Sequence, residues 1–331
     1  MLRFGLFGAG RIGQVHARTI TAHPGTELAA IYDPFGDAAA TLSATTGARV
    51  AATPEEIFAD NAIDAVLIGS ATPTHVDLII GAVKAGKKVL CEKPIDLSLE
   101  RVDECWAQIK DLDPTVMIGF NRRFDPSFSA AHARLAAGEI GDLEQLIIIS
   151  RDPAPAPEAY ITVSGGIFRD MTIHDFDLAR AFLGDVVEVF AAAANRVEPY
   201  IAAAGDVDSV MVTLKSGNGT LCTIVNSRRC AFGYDQRIEV FGSLGMLQVA
   251  NQTATSVSAS TAAGLGQTDP AQDFFLERYF PAYQAELAHF VNAVVAGTPP
   301  SPSFTDGRLA LVLADAACES LRTGSAVRVL A

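Results

Sequence analysis

The sequence predicts an α/β region followed by an α+β region: a doubly wound parallel sheet first, then a domain built on a largely antiparallel open sheet flanked by helices. Three observations predict it. From Leu2 to Phe120 short, nearly continuous apolar runs alternate with segments of helical length, the pattern of strands buried on both faces between crossover helices. Gly8-x-Gly10-x-x-Gly13 joins the first apolar run to the first helical segment, as at the first turn of a doubly wound sheet. After Asn121 the rhythm changes to strands that follow one another across short turns, which suits antiparallel pairing.

In order, strands are expected at Leu2 to Gly8, Glu27 to Asp33, Ala65 to Ser70, Lys88 to Glu92 and Thr115 to Phe120, within a first domain of residues 1–120. The second domain, 121–331, opens with a helix at Pro126 to Ala137 and a Pro-rich loop at Asp152 to Pro157, followed by a helix that begins near Asp170 and stops at Gly184. Strands follow at Val186 to Val197, Val207 to Leu214, Gly219 to Ser227, Gln236 to Phe241 and Met246 to Ala250. Ser216-Gly217-Asn218-Gly219 and Gly242-Ser243-Leu244-Gly245 supply turns of hairpin composition. Residues 251–270, rich in Thr, Ser, Ala and Gly, read as a weakly ordered loop or an irregular continuation of the sheet. A helix at Ala282 to Ala296 is stopped by Pro299-Pro300-Ser301-Pro302. A last helix, Thr305 to Thr323, and a strand, Ala326 to Leu330, are expected to pack back on the first domain.

Composition bounds the function. A chain of 331 residues, 49% apolar and 19% charged, suits two globular domains, each with its own core. A formal net charge of −13 argues against nucleic acid as a partner and favours a small neutral substrate. No run approaches the roughly 18 apolar residues of a membrane span, and residues 1–9 read as a strand rather than a secretory leader. Five scattered cysteines without a Cys-x-x-Cys spacing read as reduced thiols of a cytoplasmic protein. No His-Glu-x-x-His or comparable spacing marks a metal site.

The loop of Gly8, Gly10, Arg11, Ile12 and Gly13 follows a strand and opens a helix, so it is the candidate pyrophosphate site: glycines permit a tight turn and close backbone approach, and helix amides face the anion. Asp33 ends the next strand at the spacing of a ribose-binding acid, which favours NAD over NADP because its carboxylate would repel a 2′-phosphate. No Lys or Arg occurs from Pro34 until Arg49 to hold that phosphate. The other reading of Asp33 is a turn residue before Pro34. Ser70, Thr72 and Pro73 follow another strand and are placed beside the cofactor, and Thr74-x-x-Asp77 has capping-box character. His16 and His75 stand at helix starts and read as structural.

At 3.6 residues per turn Asp170 and His174 project about 40° apart from one helix face. Oxidising an alcohol removes a hydroxyl proton as the hydride leaves, and histidine accepts a proton near neutral pH, so His174 is the candidate base. Asp170 would bond the imidazole or a substrate hydroxyl. Lys93 ends a strand of the first domain, where doubly wound sheets bind ligands, and its ammonium suits a developing alkoxide. Glu92 reads equally as a cofactor ligand or a structural partner.

Gly8-x-Gly10-Arg11-Ile12-Gly13, Glu92-Lys93-Pro94, Asn121-Arg122-Arg123-Phe124-Asp125 and Gly165-Gly166 through Asp177 occur in this order. With them the chain resembles, over essentially its whole length, the glucose-fructose oxidoreductase, inositol dehydrogenase and rhizopine catabolism family, and within it the inositol dehydrogenases. The resemblance implies a Rossmann domain binding NAD and a catalytic triad of Lys93, Asp170 and His174. It places Arg123 and Tyr234 in the polyol pocket, with Asn121, Thr172 and Asp175 as further candidates; the other reading of each is a domain-interface hydrogen bond. It also implies a homotetramer assembled through the open sheet face. The expected reaction is oxidation of myo-inositol to its 2-keto product. The alternatives are scyllo-inositol, D-chiro-inositol or a pyranose as substrate and, from another class, a non-catalytic NAD(H) sensor.

Overall fold

The computed structural model describes residues 1–329. The chain forms two compact units, Met1–Phe124 with Pro281–Leu311, and Asp125–Phe280 with the residues from Val312 onward.

In the first unit β1 (Leu2–Phe7), β2 (Thr26–Tyr32), β3 (Arg49–Val50), β4 (Ala65–Ile68), β5 (Lys88–Glu92) and β6 (Val116–Gly119) alternate with α1 (Arg11–Ala22), α2 (Gly36–Thr46), α3 (Pro54–Phe58), α4 (His75–Lys84) and α5 (Leu99–Ile109). The strands are parallel in the order β3-β2-β1-β4-β5-β6. The order reverses between β1 and β4, which puts the ligand crevice at their carboxyl ends. Ala-Val-Leu-Ile of β4 is buried at every position, as a strand covered on both faces requires. β3 has two exposed residues, too few for a periodic signal, and the sequence reading places no strand there.

Residues 281–311 were expected in the second domain but group with the first unit. Leu287, Phe290 and Val291 of α12 (Phe280–Ala296) join a buried cluster with Phe4, Leu6, Ile20, Leu28 and Ile31. Amphipathic spacing predicts that such a helix buries a face, not which sheet receives it. Farther on, the Ile118 amide donates to the Pro302 carbonyl at 3.0 Å, tying the proline segment to β6.

The second unit holds α6 (Pro126–Ala136), β7 (Leu143–Arg151), α7 (Glu158–Ile161), α8 (Ile167–Asp170), α9 (Thr172–Leu183), β8 (Val186–Ala194), α10 (Pro199–Ala203), β9 (Ser209–Ser216), β10 (Leu221–Ser227), β11 (Asp235–Gly242), β12 (Gly245–Val249), β13 (Ser258–Thr261), β14 (Gly264–Thr268) and α11 (Phe275–Arg278). From Val312 it also holds the second part of α13 (Phe304–Thr323), and then β15 (Val327–Arg328). Seven strands form one sheet, β12-β11-β7-β10-β9-β8-β15. Every pairing is antiparallel except β7 with β10. β9 alternates buried and exposed positions, and α9 packs against β7 and β10, so one face carries the core and the other is open.

Four expectations are corrected here. The sequence reading places no strand at 143–151, yet β7 lies inside the sheet between β11 and β10; the run Leu146-Ile147-Ile148-Ile149 is its signal. The strand expected to Val197 ends at Ala194, because the Arg196, Val197 and Glu198 amides turn to the Asp208 carboxylate. Within 251–270 lies a separate hairpin, β13 with β14, rather than a loop or a continuation of the large sheet. The last strand pairs with β8 in the second unit and not with the first; Leu330, its expected end, lies outside the described residues.

Candidate functional site

The glycine loop is shaped by close backbone approach. Gly8 has φ 96°, and a Cβ there would meet the Gly69 oxygen at 2.6 Å, so the ends of β1 and β4 come together only because Gly8 lacks a side chain. A Cβ on Gly13 would lie 2.0 Å from the Gly8 carbonyl oxygen. Around Gly10 nothing lies within 4 Å of a Cβ, and α1 begins there with no side-chain cap and no acidic residue in its first turn. Its first amides are thus available to an anion, and the dipole favours one. The residues fit a dinucleotide pyrophosphate. Arg11 is exposed and Ile12 half-buried beside this turn.

Asp33 fills the turn role that the sequence offered and braces the glycine loop besides. One oxygen accepts the Ala9 amide at 2.7 Å, bracing the glycine loop, and the other accepts the Phe35 amide at 2.8 Å in the turn. Each carboxylate oxygen keeps a second lone pair for a ribose hydroxyl. Arg49, the next cation along the chain, is engaged by Asp60 at 2.9 Å and by Glu56.

After β4, Ser70 Oγ and Thr74 Oγ1 lie 2.6 Å apart and Thr74 also donates to the Ala71 carbonyl. That use of the hydroxyl replaces the capping box expected at Thr74, which makes no cap bond; Asp77 faces Arg101 instead. Thr72 is half-buried and Pro73 exposed in the intervening turn. His75 Nε2 faces the Ser70 carbonyl at 3.0 Å and Nδ1 the Pro94 carbonyl at 2.8 Å. It therefore joins the two loops that follow β4 and β5. Burial holds its proton affinity below the usual histidine range, against the pull of those carbonyls. Glu92, nearly buried, bonds His16 Nε2 at 2.7 Å and accepts the Lys93 amide at 3.3 Å; His16 in turn lies edge-on to Tyr283. Lys93 is half-buried, and its bond to Pro94 is cis.

In the second unit the expected single helix is broken. Asp170 closes α8, Met171 takes φ −100° and ψ −56°, and α9 starts at Thr172. The His174 amide reaches back to the Met171 carbonyl at 3.3 Å, a tightened turn. From Met171 to Ala179 every residue is buried except His174. Asp170 accepts the Tyr160 hydroxyl at 2.8 Å on one oxygen and Arg228 Nη1 at 3.0 Å on the other. Burial, and then the Asp170 carboxylate, push the Tyr160 phenol above its ordinary range. Behind α9, the buried Asp175 carboxylate accepts from Ser150 Oγ at 2.7 Å and Asn226 Nδ2 at 2.8 Å.

Three of the substrate candidates sit as follows. Thr172 is fully buried and donates to Asn226 Oδ1 at 2.6 Å, so it fastens α9 to β10. Arg123 pairs with Asp306 at 3.1 Å inside the first unit, next to the buried Asn121. Tyr234, also buried, stands edge-on to Phe274 and Tyr279. Sequence reasoning missed Tyr160, Arg228, Asp206 and Asn226. Nothing in their spacing links them to Asp170 or Asp175, because the contacts are made only by the folded sheet.

Residues 2–120 match the family model described as oxidoreductase family, NAD-binding Rossmann fold, and residues 128–248 match the GFO/IDH/MocA C-terminal domain. Over 321 residues the chain is 47% identical to the inositol 2-dehydrogenase of Rhizobium meliloti (strain 1021), covering 97% of each protein. It matches the crystal structure of a myo-inositol dehydrogenase from Corynebacterium glutamicum ATCC 13032 with TM-score 0.97 and 54% identity, over 100% of this chain and 99% of that one. A scyllo-inositol dehydrogenase from Lactobacillus casei, solved with bound NAD(H) and scyllo-inositol, matches with TM-score 0.91 and 29% identity over 99% of each chain.

Proposed function

The chain belongs to the GFO/IDH/MocA oxidoreductase family, and from that premise we propose that it oxidises a ring hydroxyl of a cyclic polyol with NAD, myo-inositol to its 2-keto product first. The first unit takes the dinucleotide. The observation that carries the reading is His174, the one accessible side chain in a buried helical stretch, four residues after an Asp170 whose two oxygens are both held. The relatives named above support the substrate class and the cofactor.

In this reading His174 accepts the hydroxyl proton while the C–H electron pair leaves as hydride and the C–O bond becomes a carbonyl. When bound, NAD supplies the acceptor for that hydride. Asp170 stabilises the imidazolium or binds a neighbouring hydroxyl, and Lys93 stabilises negative charge on the reacting oxygen. Asn121, Arg123 and Tyr234 are proposed to contact the polyol. Gly8, Gly10, Arg11, Ile12, Gly13, Asp33, Ser70, Thr72, Pro73 and Glu92 are proposed to surround the cofactor.

The test is a panel of myo-inositol, scyllo-inositol, D-chiro-inositol and glucose with NAD, following absorbance of the reduced nicotinamide. Preference for myo-inositol is expected. Preference for glucose would move the substrate class to pyranoses, and NAD binding without turnover on any of the four would favour a sensor. The enzyme is proposed to work in the cytoplasm as a homotetramer. Its open sheet face carries exposed Phe190, Met211, Leu221, Phe241 and Met246, an apolar patch that suits assembly; a monomer mass by sedimentation equilibrium would reject this.

A further inference from the structure

Asp170 is linked to charged side chains that the reaction scheme does not use. Arg228, 1% exposed, stands just past β10. Its Nη1 donates to Asp170 Oδ2 at 3.0 Å and its Nη2 to Asp206 Oδ2 at 3.2 Å. The other oxygen of Asp206 accepts the Ile167 amide at 3.0 Å. The Asp206–Arg228 pair therefore grips α8 at both ends, by its first amide and by the carboxylate of its last residue. Gly166 makes the approach feasible: its φ is 85°, and a Cβ there would lie 3.0 Å from Asp206 Oδ1. Burial works against a charge on Arg228, and the two carboxylates outweigh it, so the guanidinium stays charged.

A fixed charge in such surroundings acts in a known direction. A neighbouring cation lowers the proton affinity of an acid or a histidine, and a neighbouring carboxylate raises it. Tyr160 donates to Asp170 from α7, and Asp152, from the loop after β7, acts on both Arg228 and Tyr160. His174 follows on α9. On the side of Asp206 stand Arg169, paired with Asp315, and Cys318 of α13. One buried guanidinium thus serves Asp170 and Asp206 together, and removing Arg228 or Asp206 tips the balance at Asp170 in opposite directions.

We propose that Arg228 and Asp206 are positioning residues for the dehydrogenase reaction, a buried pair that fixes the place of Asp170 and balances the charge beside it. The proposal rests on the reading of His174 as base with Asp170 as its helper. Neither Arg228 nor Asp206 needs to touch the polyol or the cofactor.

The experiment measures kcat and KM for polyol oxidation across pH for Arg228→Gln, Arg228→Lys, Asp206→Asn and His174→Ala in the full chain, with NAD affinity titrated separately. Oxidation requires His174 unprotonated and Asp170 ionised. Loss of the cation in Arg228→Gln is expected to lower kcat and move the acid limb up by about one pH unit. Asp206→Asn keeps an acceptor for the Ile167 amide, removes a negative charge, and is expected to move the limb down. Arg228→Lys is expected to return the limb toward the parent position while kcat stays low, because an ammonium lacks the planar fork that spans two carboxylates. NAD affinity is expected to be unchanged throughout.

A pair with a merely structural role would not move the two limbs in opposite directions. Limbs that coincide with the parent in Arg228→Gln and Asp206→Asn overturn the proposal. If Arg228→Gln does not fold, Asp206→Asn decides by the same criterion. The underlying reading fails separately: normal turnover in His174→Ala would remove the catalytic assignment wherever the limbs fall.

Discussion

The glycine loop after β1 and the α8–α9 segment are both held to close tolerance, by different forces. At the loop the constraint is steric and made by the backbone: Gly8 passes the Gly69 carbonyl, and Gly13 leaves 2.0 Å between a would-be Cβ and the Gly8 oxygen. At α8–α9 it is electrostatic and made by side chains, with Arg228, Asp206 and Tyr160 around Asp170, and Ser150 and Asn226 around Asp175. A steric constraint does not titrate, whereas a charged one does. The glycine loop should therefore be indifferent to pH over a range where the α8–α9 segment responds to it.

The largest effect that sharpens this contrast is expected from Gly13→Ala. The added methyl has no room against backbone, so the loop must shift, and displacements near 1 Å at a positioned site cost about 10²-fold. NAD affinity in a fluorescence titration is expected to fall by that order, equally at every pH, with the acid limb of residual turnover unmoved. A loss that varied with pH would break the contrast.

Asp33 is the exception within the loop, the one carboxylate that braces it, through the Ala9 amide at 2.7 Å. Asp33→Ser removes a charge-assisted hydrogen bond, the kind worth about 1.5–3 kcal/mol, together with the group that would repel a 2′-phosphate. NAD affinity is expected to drop about tenfold, and the ratio of NAD to NADP activity to fall with it. An unchanged ratio would show that another group selects the cofactor.

The same contrast explains what the sequence makes legible. Gly8, Gly10 and Gly13 lie within six residues and the shape of their turn follows from residue type and backbone geometry, so the doubly wound sheet and its glycine loop can be read directly. The place of Asp33, directly after β2, follows from the strand pattern. Arg228 is 58 residues from Asp170 and 22 from Asp206; an ion pair needs only charges brought together in space, and no periodicity records it. The hairpin β13–β14 is exposed along nearly its whole length, so no apolar alternation announces it. The amphipathic α12 announces a buried face without naming its sheet. β7 is different, because its run of Leu and Ile carries an ordinary strand signal.

The smallest effect tests whether a charge-held contact in the first unit also titrates. Asp306 receives Arg123 at 3.1 Å and the Ser303 amide and hydroxyl at 2.7 Å each. Burial would raise its proton affinity, but the Arg123 charge and the Ser303 bonds prevail and hold it below the ordinary carboxylate range. A depressed folded value means that the stabilisation is complete above the unfolded value, near 3.9, and is lost as pH falls through the folded one. Asp306→Asn is expected to cost about 1 kcal/mol at neutral pH, read as a lower urea midpoint. The gap to the parent should close as acid protonates Asp306, because a protonated carboxyl and an amide then differ little. A gap that stayed constant from neutral to acid pH would mean that shape, not charge, holds Arg123, and that sterics extend beyond the glycine loop to this corner of the first unit.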